Sequence, residues 1–414
     1  MPLSERVGPA ARRVAATALL IGAPLALALP LALSAPTATA GIFDFARKKV
    51  EEPDPAPQVD TDAPPVDKRP KVAPTPLWTP LPTKLGPLPE GLANVSAQGC
   101  AACHPAEVDA WRTSGHAHGP SDTLRAAADA AADPRCMSCH LPLDVQHRQH
   151  VVLDGGDPKT PVRGPNADFD ATLATEGVTC AACHLRKGKV LGDSPHPAVA
   201  PHAPGFAREL TDARACAPCH QLTWPGADRP IYDTVGEWER SAYPAAGITC
   251  QTCHLDSSAG HGMALPAARA VSVLVTLAPD PLVRGGDAVK GRITVQNTGA
   301  GHSFPTGSPW QGVRLKAEVL GPDGDDAQKV WATPVAVEFM HFLQAEPPWM
   351  TKADTRIPAG SQRASSLEVK LPVDAPRGPW FLVTSLVATK LTNDGGIEEV
   401  GEPLLVQKLP LLVE

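Results

Sequence analysis

The sequence predicts a multidomain protein in which a region of short helices and loops precedes an antiparallel β-sandwich-like domain. All ten cysteines fall between residues 100 and 253, where prolines and glycines interrupt the chain often. From residue 269 onward cysteines are absent, and β-branched residues alternate with polar ones, which is typical of half-buried strands. We therefore divide the chain into residues 1–40, 41–92, 93–268 and 269–414.

The first forty residues predict an export signal. Arg6, Arg12 and Arg13 form a positive start. An uncharged run from Val14 to Leu33 follows, and Ala38-Thr39-Ala40 has the pattern of a signal cleavage site. An uncleaved membrane anchor is the alternative, because the run is about as long as a spanning helix. Both alternatives place the rest of the chain on the exported side, either in the periplasm or at the cell surface.

Residues 41–92 read as a proline-rich linker. Twelve prolines lie between residues 51 and 90, a composition that predicts an extended, semi-rigid arm. Such an arm would allow the folded part to be tethered near a membrane. The net charge is −7, and the charged residues are dispersed along the chain with no basic block. We therefore expect no nucleic-acid partner.

The spacing of the cysteines predicts covalent haem attachment. The ten cysteines form five Cys-x-x-Cys-His motifs, with none left over. Two thiols at this spacing can bond the two vinyl groups of one haem, and the following histidine can coordinate its iron. A disulfide framework would not need the histidines, and five pairs cannot be grouped into four-ligand zinc sites. The haem-attaching cysteines are Cys100, Cys103, Cys136, Cys139, Cys180, Cys183, Cys216, Cys219, Cys250 and Cys253, and the proximal histidines are His104, His140, His184, His220 and His254.

Five haem c groups would also supply the core of the middle region. Successive motifs begin 36, 44, 36 and 34 residues apart, and the stretch holds few aromatic residues. The apolar rings would therefore provide most of the buried surface, and they would lie close together. We expect short helices over Pro105–Ser114, Ser121–Ala132 and Tyr232–Ser241, with irregular loops between them.

The second axial ligand of each iron is harder to assign. Nine histidines lie outside the motifs, whereas only Met263, Met340 and Met350 are available as methionine ligands. Most irons should therefore have two histidine ligands. His118 could replace its neighbour His116 in this role. We select five as distal ligands: His116, His147, His196, His261 and His302.

Seven runs in the last third of the chain predict strands. Turn sequences such as Gly321-Pro322-Asp323-Gly324 separate them, and an antiparallel sandwich is the expected arrangement. The predicted strands are Val271–Leu277, Gly291–Gln296, Val313–Leu320, Val330–Glu338, Ser366–Leu371, Trp380–Ala388 and Leu404–Leu412.

Several motifs resemble the cytochrome c-554-type multihaem cytochromes. Trp111-x-x-Ser114-x-His116 follows the first haem motif, and Trp238-x-x-Ser241-x-Tyr243 precedes the fifth. Gly301-His302-Ser303-Phe304-Pro305-Thr306-Gly307 and Thr355-Arg356-Ile357-Pro358 are similar to parts of a β-rich C-terminal extension found in some members. The resemblance spans roughly residues 95–380. It implies periplasmic electron transfer through closely stacked haems, with His116 and His302 among the ligands.

The chain also departs from that family. Its best-known members bind four haems, whereas this chain has five motifs, and Tyr243 stands where the earlier Trp-Ser unit has His116. One iron could therefore lack a sixth protein ligand. We expect a non-enzymatic electron carrier whose partners are other cytochromes or a quinol-linked or terminal oxidoreductase. The alternative is a multihaem enzyme that reduces a small nitrogen or sulfur oxyanion at one open haem.

Overall fold

The computed structural model describes residues 81–120, 134–152, 162–194, 201–202, 204–258, 260–278, 282–322, 328–392 and 394–414. Residues 1–40, most of the proline-rich linker and the helix predicted over Ser121–Ala132 lie outside these ranges. His196 also lies outside them.

The helices of the described residues are short, and most coincide with the cysteine motifs. Helices α4 and α7 each begin at the first cysteine of a motif and end at its histidine. The predicted helix at residue 105 is present as α2, which starts at a proline, a residue favoured in the first turn. The predicted helix near residue 232 is shorter than expected because Tyr232 and Asp233 pair as a strand. The helices are α1 (Ala97–Ala101), α2 (Pro105–Arg112), α3 (Pro134–His140), α4 (Cys180–His184), α5 (Ala217–His220), α6 (Thr234–Glu239), α7 (Cys250–His254) and α8 (Ala267–Ala270).

None of the helices in the described ranges is long and apolar enough to cross a bilayer.

Small ladders support the loops of the cysteine-rich region. One pairs two antiparallel strands, another adds a parallel strand to a two-residue hairpin, and a third joins residues on either side of the loop after the fourth motif. The strands are β1 (Gln149–Val152), β2 (Val162–Pro165), β3 (Leu185–Arg186), β4 (Lys189–Gly192), β5 (Pro204–Phe206), β6 (Gln221–Leu222) and β7 (Tyr232–Asp233).

From residue 271 the chain is almost entirely β-structure, which confirms the predicted strand-rich C-terminal part. One sheet has the order β15-β10-β8 and a second has the order β12-β11-β16-β17-β9, while β13 and β14 form a separate hairpin. The long strand pairs are antiparallel, and β9 joins β17 in parallel. The strands are β8 (Val271–Ala278), β9 (Leu282–Val283), β10 (Ala288–Asn297), β11 (Gln311–Pro322), β12 (Gln328–Phe339), β13 (His341–Leu343), β14 (Thr351–Asp354), β15 (Gln362–Lys370), β16 (Gly378–Leu391) and β17 (Ile397–Val413).

The two larger sheets share one apolar core. Ile293 and Leu367 come from the three-stranded sheet, while Leu315, Trp380 and Leu382 come from the five-stranded sheet, and all are almost fully buried. Buried and more exposed residues alternate along β11, as expected for a strand with one face against a core. The two sheets therefore form the layers of a sandwich.

Polar contacts join the cysteine-rich region to the β13–β14 hairpin. The guanidinium group of Arg229 lies 2.8 Å from the carboxylate of Asp354, and the backbone N–H of Thr351 donates to Asp228. These contacts hold the hairpin against the loop that follows the fourth motif.

Candidate haem-binding sites

The short helices place the thiols and the histidine of each motif within about one turn of one another. In α4, for example, Cys180 is the first residue, Cys183 follows after one turn and His184 ends the helix. In the first motif, Cys100 lies in α1 and His104 caps the start of α2. The local fold thus presents two sulfur atoms and one imidazole from a compact unit.

All the cysteines whose side chains the structure describes are free thiols. Cys136 lies in α3, and its side chain is outside the description. Burial raises the pKa of the Cys183 thiol, so this group is protonated at neutral pH. These residues are therefore available for bonds to another group.

Backbone carbonyls fix the orientation of two proximal imidazoles. Nδ1 of His184 lies 2.8 Å from the carbonyl oxygen of Leu191, and Nδ1 of His254 lies 2.8 Å from that of Met263. A carbonyl can only accept, so each Nδ1 carries the proton and donates it. The lone pair of Nε2 is then free to bind a metal.

Four of the five motif histidines face a second histidine ring across a narrow gap. Two imidazole nitrogens that lie about 2 Å from one metal ion, on opposite sides of it, would separate their ring centroids by roughly 6 Å. The observed separations have this size, so the residues fit an iron with two histidine ligands. The pairs and their centroid distances are His104 and His202 (6.5 Å), His220 and His116 (6.1 Å), His184 and His261 (6.2 Å), and His254 and His302 (6.3 Å).

Burial keeps several of these imidazoles in the neutral form that a metal requires. Removal from water lowers the pKa of His116, His261 and His302. Burial, together with the neighbouring imidazoles, lowers the pKa of His220 to about 4. Metal binding by these residues would not have to displace a proton at neutral pH.

The five histidines selected as distal ligands have different surroundings. His116, His261 and His302 each face a proximal histidine. Nε2 of His147 instead lies 2.7 Å from the carbonyl oxygen of Leu141. His196 is outside the described residues.

His202 faces His104, a role that the sequence analysis did not assign. The two residues are far apart along the chain, and no spacing rule connects them. Only its position six residues after His196, in a proline-containing stretch of the sequence, could have drawn attention to it.

His140 of the second motif faces no other histidine ring among the residues that the structure describes. Burial lowers its pKa, as it does for the paired histidines.

The motifs lie beside one another in an order that differs from their order in the sequence. Thiols of three pairs of motifs lie close enough to shift each other's pKa, which places the first motif beside the third, the second beside the fourth, and the fourth beside the fifth. The thiol pairs are Cys100 with Cys180, Cys139 with Cys219, and Cys216 with Cys250.

The weak repeat in the sequence corresponds to a repeated structure. Nε1 of Trp111 donates to the carbonyl oxygen of Val178 at 3.0 Å, and Nε1 of Trp238 donates to that of Ile248 at 2.9 Å. In both cases the accepting residue lies two positions before a motif cysteine. Each tryptophan therefore binds the segment just before a motif: Trp111 the segment before the third motif, and Trp238 the segment before the fifth.

The two repeats differ five residues after the tryptophan. The carbonyl oxygen of His116 accepts from the backbone N–H of Val178, and that of Tyr243 accepts from the N–H of Ile248. His116 faces His220, whereas Tyr243 packs so closely on Gly301 that an added Cβ atom there would lie 3.1 Å from the Tyr243 ring. Tyr243 thus contacts the loop that carries His302.

That loop is held by the sandwich. The side-chain amide of Asn297, at the end of β10, donates to the carbonyl oxygens of His302 and Ile357, at 2.8 and 2.9 Å. Phe304 and Ile357 exchange two backbone hydrogen bonds. The β-rich domain therefore contributes one member of the facing pair at the fifth motif.

Free thiols in Cys-x-x-Cys-His turns, beside buried neutral histidines, fit the covalent attachment of haem c that is typical of c-type cytochromes. Residues 99–185 match the family model described as cytochrome c554 and c-prime. The matched range contains the first three motifs. It confirms the resemblance inferred from the sequence.

Solved structures of other proteins match about a third of the chain at low identity. Spo0M, a sporulation control protein from Bacillus subtilis, is 17% identical over 35% of this chain and 49% of that one, with a TM-score of 0.20. The CARDB domain of the PF1109 protein from Pyrococcus furiosus is 10% identical over 35% of this chain and 90% of that one, also with a TM-score of 0.20. This chain thus spans about half of the Spo0M structure. Scores of this size do not establish a shared fold.

No curated protein sequence matches the chain.

Proposed function

We propose that this chain is an exported cytochrome that binds five haem c groups and passes electrons between redox partner proteins. The four facing histidine pairs carry the proposal, because each joins the histidine of a Cys-x-x-Cys-His motif to a second buried imidazole at a separation suited to one iron. Haem supplies a reversible one-electron couple at its iron. The chain supplies attachment, ligands and a low-dielectric surrounding.

In this proposal the ten motif cysteines hold the haems and the five motif histidines are proximal ligands. His202, His116, His261 and His302 are the distal ligands of the first, fourth, third and fifth motifs. With histidine rather than methionine opposite each proximal imidazole, these irons should have comparatively low reduction potentials.

The contacts between motifs support a route for electrons. Thiols of the first and third motifs shift each other's pKa, as do thiols of the fourth motif with those of the fifth and of the second, so these motifs are neighbours. The thiol of Cys250, burial and the nearby thiol of Cys183 raise the pKa of Cys216, so the third motif lies near the fourth as well. Electrons would pass along the order first, third, fourth and fifth, with the second haem branching from the fourth.

Haem content and iron spin state test the proposal together. The purified exported protein should contain five haems per chain by pyridine haemochrome assay and mass spectrometry. Low-temperature electron paramagnetic resonance of the oxidised protein should show low-spin signals from four of them at least. A content of three haems or fewer, or mainly high-spin iron, would contradict the proposal.

The second motif gives the alternative function a specific basis. Within the described ranges, His140 faces no second histidine, so its haem is the candidate for an open position at which a nitrogen or sulfur oxyanion could be reduced. Nitric oxide or cyanide added to the protein would then perturb one haem in five. Steady-state reduction of nitrite or sulfite by the dye-reduced protein would separate the enzyme from the electron carrier.

We also propose export to the periplasm or cell surface, with the proline-rich arm as a tether. The signal-like start and the arm support this. N-terminal sequencing of the mature protein should begin just after Ala40, and cell fractionation should recover it outside the cytoplasm. Cross-linking in intact cells would identify the redox partners, for which other cytochromes or a quinol-linked or terminal oxidoreductase are expected.

A further inference from the structure

Two charged side chains are buried beside the fifth motif without taking part in haem attachment. Glu237 lies in α6, and Arg356 lies in the Thr-Arg-Ile-Pro segment after β14. Their side chains are only 7% and 8% exposed, and Nη1 of Arg356 lies 2.9 Å from Oε1 of Glu237. Burying two charges is costly unless their remaining hydrogen-bonding groups are satisfied. The partners of this pair therefore indicate what it does.

The other oxygen of Glu237 binds the loop that carries His302. The backbone N–H of Ser303 donates to Oε2 at 3.0 Å, and the hydroxyl of Thr306 donates to the same atom at 2.8 Å. Nδ1 of His302 in turn lies 2.9 Å from the carbonyl oxygen of Ser303. One carboxylate thus holds the residue whose carbonyl orients the His302 ring.

Arg356 connects this carboxylate to the β13–β14 hairpin. Nε and Nη2 of Arg356 each lie 2.8 Å from an oxygen of Asp354, and Arg229 of the cysteine-rich region binds Asp354 at 2.8 Å. Two ion pairs of this network, Arg356–Glu237 and Arg229–Asp354, therefore connect the cysteine-rich region with the β-rich region. They fix the sandwich loop relative to α6, which is separated from the fifth motif by ten residues.

We propose that the Glu237–Arg356 pair is a positioning device that holds His302 at the iron of the fifth haem. The inference rests on the proposed function, because it assigns His302 as a distal ligand. Loss of the pair would let the Ser303–Thr306 loop move, and His302 would then dissociate from the iron more often. The expected consequence is a change at one haem out of five.

The experiment compares haem-loaded variants of the full chain with the wild type. Carbon monoxide binds reduced haems that have an open or exchangeable position, so its stoichiometry counts labile ligands. His302→Ala should add about one carbon monoxide site per chain and one high-spin signal. Glu237→Gln keeps the side-chain size but removes the charge. It should raise the carbon monoxide bound per chain by only a fraction of the increase seen in His302→Ala. Arg356→Gln should resemble Glu237→Gln, and Arg356→Lys should partly restore the wild-type spectrum.

Glu338→Gln is the matched control. Glu338 pairs with Arg314 at 2.9 Å and accepts from the hydroxyl of Thr389, as Glu237 does from Thr306, but its partners lie within the sandwich. The Glu338→Gln variant should have a lower free energy of unfolding than the wild type, with unchanged carbon monoxide stoichiometry and iron spin state. If it changes the haem as Glu237→Gln does, the effect is general destabilisation and the inference is wrong.

The remaining outcomes separate the two proposals. If His302→Ala adds no carbon monoxide site, the ligand assignment fails, and the proposed function must be revised at the fifth haem. If His302→Ala adds the site while Glu237→Gln and Arg356→Gln keep wild-type spectra, the ligand assignment stands and the positioning role is wrong.

Discussion

The cysteine-rich region and the β-rich region bury very different amounts of apolar side chain. The sandwich has one core that runs from Val271 to Val413 and draws on both sheets. The cysteine-rich region has small clusters around Leu143 and Val108, several of whose members are alanines. Since burial of apolar surface drives folding, we expect the sandwich to fold with its own side chains, while the cysteine-rich region would depend on the proposed haems for its buried surface.

The full chain produced without haem attachment should show the largest difference between the two regions. We expect the backbone amides of β10, β11 and β16 to remain protected from hydrogen exchange, because their core is complete. Amides of α4 and α7 should exchange near the rate of an unfolded chain, because the apolar rings around them are missing. Hydrogen exchange followed by mass spectrometry measures both regions at once. Equal protection of the two regions in the haem-free chain would show that the comparison is wrong.

A substitution in the sandwich core tests the other half of the comparison. Leu382 is fully buried, so Leu382→Ala should lower the free energy of unfolding by about 2–5 kcal/mol. Leu404 is 41% exposed on β17, and Leu404→Ala should cost less than about 0.5 kcal/mol. Denaturant unfolding followed by far-ultraviolet circular dichroism measures both. A cost below 1 kcal/mol for Leu382→Ala would mean that the core contributes less than its burial indicates.

The pH dependence of the sandwich should depend on a histidine outside the four facing pairs. Burial lowers the pKa of His341 to about 4, whereas an unfolded histidine titrates near pH 6.5. Above pH 6.5 the residue is neutral in both states. As the pH falls from 6.5 to 4, only the unfolded state gains the proton, so stability is lost over this window, by up to about 3 kcal/mol.

His341→Gln should remove part of that dependence. The wild type should lose stability more steeply than the variant between pH 6.5 and 4, and both should follow the same slope above pH 7. Thermal unfolding at a series of pH values, followed by circular dichroism, gives the comparison. Parallel curves throughout would show that His341 titrates normally.

The strands could be predicted from the sequence because the pattern of apolar residues along each strand reflects which side chains are buried. Val313–Leu320 alternates as a strand with one face in a core must, Trp380–Ala388 is rich in apolar residues, and both are strands in the structure. The motif histidines remain a prediction, which rests on the spacing from the cysteines that haem attachment requires.

The facing histidines depended on long-range geometry and were predicted only in part. His116 and His302 lie in distinctive sequence motifs, but His202 stands in an ordinary loop and faces His104 only because the chain folds back. The spatial order of the motifs could not be predicted from the sequence either. The roles of Glu237 and Arg356 were hidden for the same reason, because each is one charge among many until both are seen to be buried.

The smallest expected effect compares the two tryptophans of the internal repeat. Trp111→Phe and Trp238→Phe each remove one hydrogen bond to a backbone carbonyl, at Val178 and Ile248, so each should cost about 1 kcal/mol. Trp238 also packs on the loop of His302, since an added Cβ atom at Gly301 would lie 3.2 Å from its ring. Unfolding followed separately by Soret absorption and far-ultraviolet circular dichroism should therefore show both transitions shifting in Trp238→Phe but only the Soret transition shifting in Trp111→Phe. Equal shifts of the circular dichroism transition would contradict this, because the link between the two regions would then not pass through the fifth motif.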